Sequence, residues 1–381
     1  MLFVAPAYWP SSAFGGPISV TRELARGLVA RGHAVDVVTT SLVDLDSRPG
    51  RRGRRATVDG ASVRYLATPV RYRWMGITPS LRGELESLPQ PDVVHVFGYR
   101  DFVGTVASAW ARRRRIPYVF EGLGMVRPKL RKVALKRGLD ATLYRPVLRG
   151  AGVLVAASRL EAAEYLGAGA HASRVVVRPN GFPAPQSPVE RPGPLRAKLG
   201  LGAATPLVLC LGRLARGKGL DLLVRAVSEL ESAHLAVVGP DDRHGMRAEL
   251  ARLVRSLGVE SRVHLAGPWP FSGGPPLDLY ADADVSALVS AHENFGMVAA
   301  EAAAAGTASV VSDRCGISEL VRDRAALVVP YALDPTREAL RRLLGDDALR
   351  EALGRGGREL AAEVSWERVV GEQETIYERL A

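Results

Sequence analysis

The sequence predicts an α/β protein of two doubly wound, Rossmann-like parallel-sheet domains that face each other across a cleft. Three observations carry this prediction. The chain has 381 residues, which is too long for one ordinary core. Short apolar runs alternate with helical patterns in two successive series. A stretch that disfavours both helix and strand separates the series, with prolines at positions 179, 183, 185, 188, 192 and 194.

The proline-rich stretch sets the domain boundaries. We place a first domain at residues 1–183 and a second at residues 184–364. Residues 365–381 are predicted to form a C-terminal helix that is free to cross back to the first domain. Ser365 precedes this helix and is suited to cap its first turn.

The first series opens with an apolar run at residues 2–5, followed by a glycine-containing loop and a helical pattern over residues 17–31. An apolar stretch at residues 34–39 is predicted to be the next strand, which completes a βαβ unit typical of parallel sheets. The other strands predicted in this half lie at residues 62–66, 92–97, 117–120, 153–156 and 175–177.

The second series repeats the alternation. Its predicted strands lie at residues 207–211, 235–238, 263–265, 285–289, 309–311 and 327–329. Its predicted helices lie at residues 220–230, 246–257 and 296–305, and from residue 335 onward the pattern is helical only. Ligands of open parallel sheets bind outside the carboxyl ends of the strands, so the strand-to-helix loops are the expected location of the chemistry.

The charge is distributed unevenly. Residues 1–183 carry 28 Lys and Arg against 13 Asp and Glu, a net charge of +15, whereas residues 184–381 carry 23 against 27, a net charge of −4. Such asymmetry predicts an anionic partner for the first half. A nucleic acid, an anionic membrane and a phosphorylated substrate all satisfy this expectation.

The composition argues against a secreted or membrane-spanning chain. No apolar run approaches the about 18 residues that span a bilayer, and the opening residues lack a basic flank. Cys210 and Cys315 lie in strand-like contexts without a His/Cys cluster, which argues against a disulfide framework or a zinc site. We expect a cytoplasmic protein, with peripheral attachment to the inner face of the membrane left open.

The most informative motif of the second domain is the basic, glycine-rich segment at residues 212–219, which leaves a strand and opens a helix. Glycines let a phosphate approach the backbone, and Arg213 and Lys218 can neutralise a diphosphate. The segment is not a Walker loop, because Gly rather than Ser or Thr follows the lysine. The alternative interpretation is a solvated loop that is basic by chance.

A second motif contains two carboxylates, Glu293 in a loop and Glu301 in the helix that follows. The amides at the start of that helix form an anion-binding end. Glu301 lies within reach of ribose hydroxyls, and Glu293 can accept hydrogen bonds from sugar hydroxyls next to the reacting carbon. An ordinary acidic helix start is the alternative interpretation.

Together the motifs resemble those of the retaining, nucleotide-sugar-dependent glycosyltransferases of the GT-B fold, family 4. The resemblance covers essentially the whole chain. It rests on Gly15-Gly16, residues 92–96, Pro179-Asn180-Gly181, residues 212–219, and the Glu293 and Glu301 pair followed by Ala302 and Gly306.

The resemblance implies roles for individual residues. The first domain is the acceptor side, and the second holds the nucleotide-sugar donor. Arg213 and Lys218 hold the donor diphosphate, Glu301 binds the ribose, and Glu293 orients the transferred sugar. Gly16 approaches the donor phosphate when the cleft closes, and Gly239 ends a strand on the base-binding side. The remaining donor-binding positions are Asn294, Phe295, Gly296 and Met297.

The sequence departs from the family at one position. Many members carry a histidine after the fifth strand of the first domain, where this chain has Glu121. A carboxylate could accept the same hydrogen bond. His95 ends a predicted strand on the expected cleft side, so His95 and Glu121 are our acceptor-side candidates, with a structural histidine as the alternative for His95.

By the same resemblance the enzyme is of the hexosyltransferase type, transfers with retention of configuration and needs no metal or cofactor, the nucleotide-sugar being a substrate. Residues 44–46 match the letters of an Asp-x-Asp metal signature but lie in a polar loop away from the donor motifs. The acceptor is a hydroxyl compound, and a phosphate-bearing compound, a lipid-linked compound and a cell-surface glycan precursor all remain open. Front-face attack, with the donor phosphate taking the proton of the acceptor, is implied by analogy alone.

Two other functions compete with sugar transfer. Arginine runs at residues 51–55 and 112–115 motivate a nucleic-acid-binding protein, although no aromatic residues interleave with them. A nucleotide-sugar epimerase of GT-B fold would use the same donor site without an acceptor. The paired carboxylates beside a phosphate cradle favour transfer over both alternatives.

The last prediction concerns an anionic membrane surface. Residues 127–149 combine eight lysines and arginines with regularly spaced apolar residues. A basic amphipathic helix can lie in the headgroup layer of a membrane. A helix buried on its apolar face, with its arginines in solvent, is the equal alternative.

Overall fold

The computed structural model describes residues 1–11, 15–44, 50, 52–72, 75–127, 138–185, 193–241, 245–270 and 274–380. The chain forms two compact units. Unit 1 contains Met1–Asn180 and Trp366–Ala381, and unit 2 contains Gly181–Ser365. Each unit is built on a mainly parallel sheet with helices between its strands, which confirms the predicted α/β class.

The strands follow in chain order. They are β1 (Leu2–Ala5), β2 (Asp36–Thr40), β3 (Arg54–Val58), β4 (Ala61–Leu66), β5 (Val70–Tyr72), β6 (Met75–Ile77), β7 (Val94–Phe97), β8 (Tyr118–Glu121), β9 (Val153–Ala156), β10 (Val175–Val177), β11 (Leu207–Leu211), β12 (His234–Val238), β13 (Val263–Gly267), β14 (Val285–Leu288), β15 (Ser309–Ser312) and β16 (Ala326–Val329).

The α-helices are numbered in the same way, and a π-helical turn at Asp140–Tyr144 leads into the fourth. They are α1 (Gly16–Ala30), α2 (Leu81–Glu86), α3 (Phe102–Arg114), α4 (Arg145–Gly150), α5 (Arg159–Gly167), α6 (Pro194–Leu199), α7 (Leu220–Ser228), α8 (Met246–Ser256), α9 (Leu277–Asp282), α10 (Met297–Ala305), α11 (Ser318–Val321), α12 (Leu333–Gly345), α13 (Asp347–Glu363) and α14 (Trp366–Glu378).

The sheet of unit 1 has the strand order β10-β9-β8-β7-β1-β2-β4-β3, and only β3 runs antiparallel to its neighbour. Buried aliphatic and aromatic residues fill its central strands, as expected for a parallel sheet covered on both faces. Helix α1 begins with Pro17 in its first turn and buries one face that includes Leu24 and Leu28. Asp101 caps α3 by accepting a hydrogen bond from the Gly104 amide at 2.7 Å.

Helix α14 packs within unit 1, although it lies far from the rest of that unit in sequence. The Arg31 guanidinium is 2.6 Å from the Glu374 carboxylate, and His33 Nε2 contacts the same carboxylate at 2.5 Å. A Cβ added at Gly27 of α1 would lie 2.5 Å from Val370 Cγ2, so this glycine permits close packing of the two helices.

Three strands of unit 1 were not predicted. Strand β3 includes part of the arginine run at residues 51–55, and it was missed because Arg54 and Arg55 are both exposed and give no apolar alternation. The guanidinium of Arg54 lies 4.3 Å from the ring centre of Tyr65 on β4. Strands β5 and β6 form a separate antiparallel hairpin of three residues each. Exposed or very short strands carry little pattern in the sequence.

The sheet of unit 2 is parallel throughout, with the strand order β13-β12-β11-β14-β15-β16. The chain enters at β11, proceeds outward through β12 and β13, and then returns to the other side of β11 at β14. This reversal of direction leaves a crevice at the carboxyl ends of β11 and β14, where open α/β sheets bind their ligands.

Candidate functional site

The loop after β11 contains the predicted anion cradle at residues 212–219 and is held to the loop after β12. The Leu214 amide donates to the Pro240 carbonyl at 2.8 Å. Gly239 has φ +150°, and a Cβ there would lie 1.9 Å from the Gly212 carbonyl oxygen. Gly239 was predicted to bind the donor, and its position shows that glycine is required there for backbone packing next to the cradle.

The loop after β14 lies directly against the cradle. The Ala291 amide donates to the Gly217 carbonyl at 2.8 Å. Gly219 precedes α7 with φ +64°, and a Cβ there would lie 2.0 Å from the Val289 carbonyl oxygen. The two motifs identified in the sequence therefore form one continuous surface at the switch point of the sheet.

This contact pairs two of the predicted catalytic residues with each other. The Lys218 ammonium donates a hydrogen bond to the Glu293 carboxylate, and the two side chains are 30% and 22% exposed. The predicted phosphate ligand and the predicted sugar ligand are thus adjacent and half-buried. An ammonium in this position can exchange a carboxylate oxygen for a phosphate oxygen without leaving the loop.

Arg213 and Arg216 lie in the same loop but differ in their contacts. Arg216 pairs with Glu249 at 2.7 Å. Arg213 is exposed, and no ion pair joins it to another residue in the described parts of the chain. Arg213 therefore offers a guanidinium that is available to an anion, whereas Arg216 already has a carboxylate partner.

The backbone of residues 293–295 is fixed by the loop after β15. The Glu293 amide donates to the Arg314 carbonyl at 3.1 Å, and the Gly316 amide donates to the Glu293 carbonyl at 3.0 Å. The Ile317 amide donates to the Phe295 carbonyl at 2.8 Å. These bonds hold Glu293 in a defined position, which is the requirement for orienting a substrate.

The positions that follow lead into α10. Phe295 is buried, and its ring centre is 6.4 Å from that of Phe182. Asn294 is half-buried, Gly296 precedes the helix, and Met297 is the first helical residue. The first turn of α10 contains no acidic side chain, so the positive end of the helix dipole is not neutralised locally.

Glu301 lies one turn into α10 and has one oxygen already engaged. The Tyr280 hydroxyl donates to Glu301 Oε2 at 2.7 Å. Burial raises the pKa of Glu301 to about 7, and the Tyr280 hydrogen bond only partly opposes this shift. The carboxyl group therefore titrates near neutral pH. Sequence reasoning missed Tyr280, since nothing in the sequence connects α9 with Glu301.

Gly16, the remaining predicted donor-binding residue, belongs to unit 1. It is the first residue of α1, follows Gly15 with φ +79°, and is half-buried.

The two acceptor-side candidates occupy the interior of unit 1. The side chains of His95 and Glu121 are both 0% exposed, and their Nε2 and Oε2 atoms are 3.5 Å apart. The Arg178 guanidinium donates to Glu121 Oε2 at 2.7 Å, and His95 Nδ1 lies 2.6 Å from the Tyr377 hydroxyl. Both side chains are enclosed by the protein, but His95 Nε2 and Glu121 Oε1 have no hydrogen-bond partner among the described residues, so their assignment to the acceptor stays a prediction. We call these four residues the buried polar cluster.

The electrostatics of the buried polar cluster are consistent with an internal ion pair. Burial alone would raise the pKa of Glu121, but Arg178 and His95 more than offset it, so the pKa lies below its ordinary value. Burial lowers the pKa of His95 despite the opposing pull of Glu121. The neutral imidazole stacks on Phe97 with ring centres 3.9 Å apart.

Two sequence predictions fall largely outside the described residues. Of the Asp-x-Asp letters at residues 44–46, only Asp44 is described. Residues 128–137 of the basic amphipathic stretch also lie outside the described part. Within the described residues, no helix combines the length and apolar character needed to cross a bilayer.

Comparison with known proteins gives the same family for both units. Residues 194–360 match the family model described as Glycosyl transferases group 1, and residues 15–181 match the Glycosyl transferase 4-like domain. The D-inositol 3-phosphate glycosyltransferase 1 of Catenulispora acidiphila is 31% identical over an alignment 409 residues long. The alignment covers 99% of this chain and 94% of that protein.

Solved structures share the fold over the full length. Sucrose-phosphate synthase from Thermosynechococcus elongatus superimposes with a TM-score of 0.77 at 21% identity, covering 100% of this chain and 98% of that chain. Anabaena Alr3699/HepE in complex with UDP and glucose gives a TM-score of 0.76 at 19% identity, covering 100% and 99%. At these identities the likeness establishes the fold alone.

Proposed function

Since the chain belongs to the GT-B glycosyltransferases of family 4, we propose that it moves a sugar from a nucleoside-diphosphate donor, held by unit 2, to a hydroxyl of a phosphate-bearing acceptor. The observation that carries the proposal is the joined pair of loops at the carboxyl ends of β11 and β14. They bring the cation of Lys218 and the carboxylate of Glu293 to the switch point of the sheet.

The donor roles follow from the chemistry of these side chains. Arg213 and Lys218 neutralise the diphosphate, and the amides at the start of α10 add the positive end of a helix dipole. Glu301 accepts hydrogen bonds from the ribose. The complex of HepE with UDP and glucose supports a uridine diphosphate sugar as the first donor to test.

Because Lys218 contacts Glu293, binding of the donor diphosphate also changes what Glu293 can offer to the sugar. When the diphosphate takes the ammonium of Lys218, Glu293 loses its partner. Its carboxylate is then free to accept hydrogen bonds from hydroxyls of the transferred sugar. In this proposal the ion pair between Lys218 and Glu293 is replaced by two contacts with the donor.

The proposed reaction retains the configuration of the sugar and uses no metal. The bond between the sugar carbon and the diphosphate oxygen breaks, and the acceptor oxygen bonds to the same carbon. The acceptor proton passes to the leaving diphosphate. Arg213 and Lys218 stabilise the charge that develops on that group, a task that preorganised cations perform well.

A phosphate-bearing acceptor has two supports. The similar proteins include a D-inositol 3-phosphate glycosyltransferase and a sucrose-phosphate synthase. The acceptor-side half, residues 1–183, carries 28 Lys and Arg against 13 Asp and Glu. An excess of cations raises the local concentration of an anionic acceptor.

A donor and acceptor panel tests this function. Uridine, guanosine and adenosine diphosphate sugars are incubated with inositol phosphates or hexose phosphates, and products are identified by mass spectrometry and NMR. We expect a retained glycosidic linkage in wild type, loss of product in Lys218→Ala and unchanged turnover in the control Arg216→Ala. Donor consumption without any acceptor, giving an epimeric nucleotide sugar, would establish the epimerase alternative instead.

We also propose peripheral contact with an anionic membrane through the described end of the amphipathic stretch. Leu139 and Leu143 are 39% and 51% exposed, and Arg145 and Arg149 are exposed nearby. Apolar side chains beside cations are suited to a headgroup layer. Co-sedimentation with anionic vesicles should fall in Leu139→Gln/Leu143→Gln. Equal recovery in the supernatant with neutral and anionic vesicles would exclude this contact.

A further inference from the structure

A cavity of about 620 Å³ lies in unit 1 at the edge of the sheet opposite the carboxyl ends of the strands. Three of its lining residues lie two or three positions before a strand: Asp92 before β7, Arg115 before β8, and Gly150 before β9. The chemistry proposed above uses the carboxyl ends of the strands. This cavity is therefore separate from the donor site, and its arginines are not among the residues assigned to sugar transfer.

The position of Arg112 on the cavity wall is fixed by its neighbours. Arg112 Nη1 donates to the Pro146 carbonyl at 2.5 Å. A Cβ added at Gly150 would lie 2.6 Å from Arg112 Cδ and 2.7 Å from the hydroxyl of Tyr118. Gly150 thus leaves the space through which the arginine reaches the wall. That hydroxyl is itself fixed, because it donates to the Val147 carbonyl at 2.6 Å.

Arg115 lines the same cavity from an uncommon backbone conformation. It ends α3 with φ +57°, in the left-handed region that glycine adopts without a steric penalty. Non-glycine residues in this region concentrate at ligand-binding sites. The side chain is exposed and Arg115 lines the cavity, so its guanidinium is accessible to a ligand.

The charge at this edge is not balanced by acidic neighbours. The four arginines at residues 112–115 are all exposed, and none forms an ion pair with a carboxylate in the described parts of the chain. A helix C-terminus favours cations, which explains basic residues at the end of α3. It does not explain why two of the four line a cavity whose described lining contains one carboxylate, that of Asp92.

We propose that this cavity binds a phosphate group, with Arg112 and Arg115 as its ligands. Two guanidinium groups against one carboxylate leave a net positive site, and guanidinium matches phosphate in bidentate geometry. The phosphate can belong to a small soluble phosphomonoester or to a lipid headgroup. The inference does not depend on the proposed function, because it concerns the opposite edge of the sheet.

Calorimetry with inorganic pyrophosphate tests the site. The titration is done in an Arg213→Ala/Lys218→Ala background, which removes the proposed donor cradle. The variant Arg112→Gln/Arg115→Gln should weaken binding by about tenfold or more per arginine. The control Arg113→Gln/Arg114→Gln removes the same charge from the same helix end and should bind as the background does. Hydrogen exchange should show protection at residues 112–118 and 146–153.

Equal loss of binding in the two double variants would overturn the proposal, since it would show a diffuse basic surface rather than a site. Undetectable binding of pyrophosphate at millimolar concentration would also overturn it. If Arg112→Gln/Arg115→Gln fails to fold, Arg115→Gln alone replaces it and should still lower the affinity about tenfold. No change in affinity for that single variant would remove Arg115 from the site.

Vesicles separate the two sources of phosphate. Binding to vesicles of anionic phospholipid that requires Arg112 and Arg115, and that pyrophosphate displaces, supports a lipid headgroup. Pyrophosphate binding without any such vesicle dependence supports a soluble phosphomonoester. Transfer activity in Arg112→Gln/Arg115→Gln should equal that of wild type. A loss of activity there, with donor affinity intact, would place these arginines in the reaction and contradict a separate site.

Discussion

The two units use the charged residues at the carboxyl ends of their strands in opposite ways. In unit 1, Glu121 ends β8 and pairs at 2.7 Å with Arg178, which directly follows β10, and both side chains are buried. In unit 2, Lys218 and Glu293 follow β11 and β14 and remain 30% and 22% exposed. The same edge of the same type of sheet is core in one unit and a candidate site in the other.

Helix α14 accounts for part of this difference. It packs within unit 1 and places the Tyr377 hydroxyl 2.6 Å from His95. In unit 2, the loops after β11 and β14 contact each other through their backbones, at Gly217 and Ala291, and leave their side chains partly in solvent. Sequence motifs identify charged residues, but burial determines whether they bind each other or a ligand.

The largest expected effect tests whether the buried polar cluster of unit 1 stabilises the fold. Arg178→Met should lower the free energy of unfolding by about 3–5 kcal/mol, because it leaves the buried Glu121 carboxylate without its cation. Urea denaturation measures the free energy of unfolding, and hydrogen exchange shows whether the loss of stability lies in unit 1. The exposed control Arg149→Met should change little, and adding Glu121→Gln should restore much of the loss. A stable Arg178→Met protein would mean that the carboxylate finds another partner.

The next effect concerns the exposed charges of unit 2. Arg213→Ala and Lys218→Ala should each cost about 2–4 kcal/mol of transition-state stabilisation, or about 30- to 1,000-fold in kcat/KM, while the melting temperature stays near that of wild type. Steady-state kinetics and thermal denaturation measure the two quantities. Near wild-type turnover in either variant would disprove the assignment of the cradle to the diphosphate.

A smaller effect separates the two carboxylates. Glu301→Gln should weaken binding of the free nucleotide by about 1.5–3 kcal/mol, the range for a hydrogen bond to a charged group. Glu293→Gln should leave that affinity intact and lower kcat, because this residue is assigned to the sugar. Titration of nucleoside diphosphate and steady-state kinetics separate the two roles. If both variants lost nucleotide affinity and kept kcat, the assignment of Glu301 to the nucleotide and Glu293 to the sugar would be contradicted.

The smallest effect is a pH dependence. Burial raises the pKa of Glu301 from 4.5 to about 7, so nucleotide affinity should rise by about tenfold between pH 6 and pH 8 as the carboxylate forms. The folded state holds the proton more tightly than the unfolded state. The contribution of this group to stability therefore falls as the pH rises from 4.5 to about 7. Calorimetry with nucleotide should show that its affinity for Glu301→Gln does not change between pH 6 and pH 8. An affinity that still rises with pH in this variant would mean that another group causes the pH dependence.

The sequence predicted elements best where local pattern decides the structure. Strands β9 and β11 were predicted at their observed bounds because each is a short, buried, apolar run. Strand β3 was missed because a solvent-exposed edge with two arginines has no apolar alternation. The loops carrying Arg213, Lys218 and Glu293 were recognised by composition, since glycine and charge next to a strand are local features.

Contacts between distant parts of the chain could not be predicted in this way. The pairing of Lys218 with Glu293 joins residues 75 apart, and that of Tyr280 with Glu301 joins residues 21 apart. The burial of Glu121 depends on Arg178, 57 residues away. Each of these contacts fixes the chemical state of a charged side chain, and none leaves a pattern within one segment of sequence.

The packing of α14 sets an order of assembly during protein synthesis. Unit 2 is continuous in sequence, Gly181–Ser365, so all of it has been translated before α14 exists. Glu374 meets Arg31 across 343 residues, and Tyr377 meets His95 across 282. A domain that begins first is therefore completed last, because His95 gains its partner only after all of unit 2 has been translated.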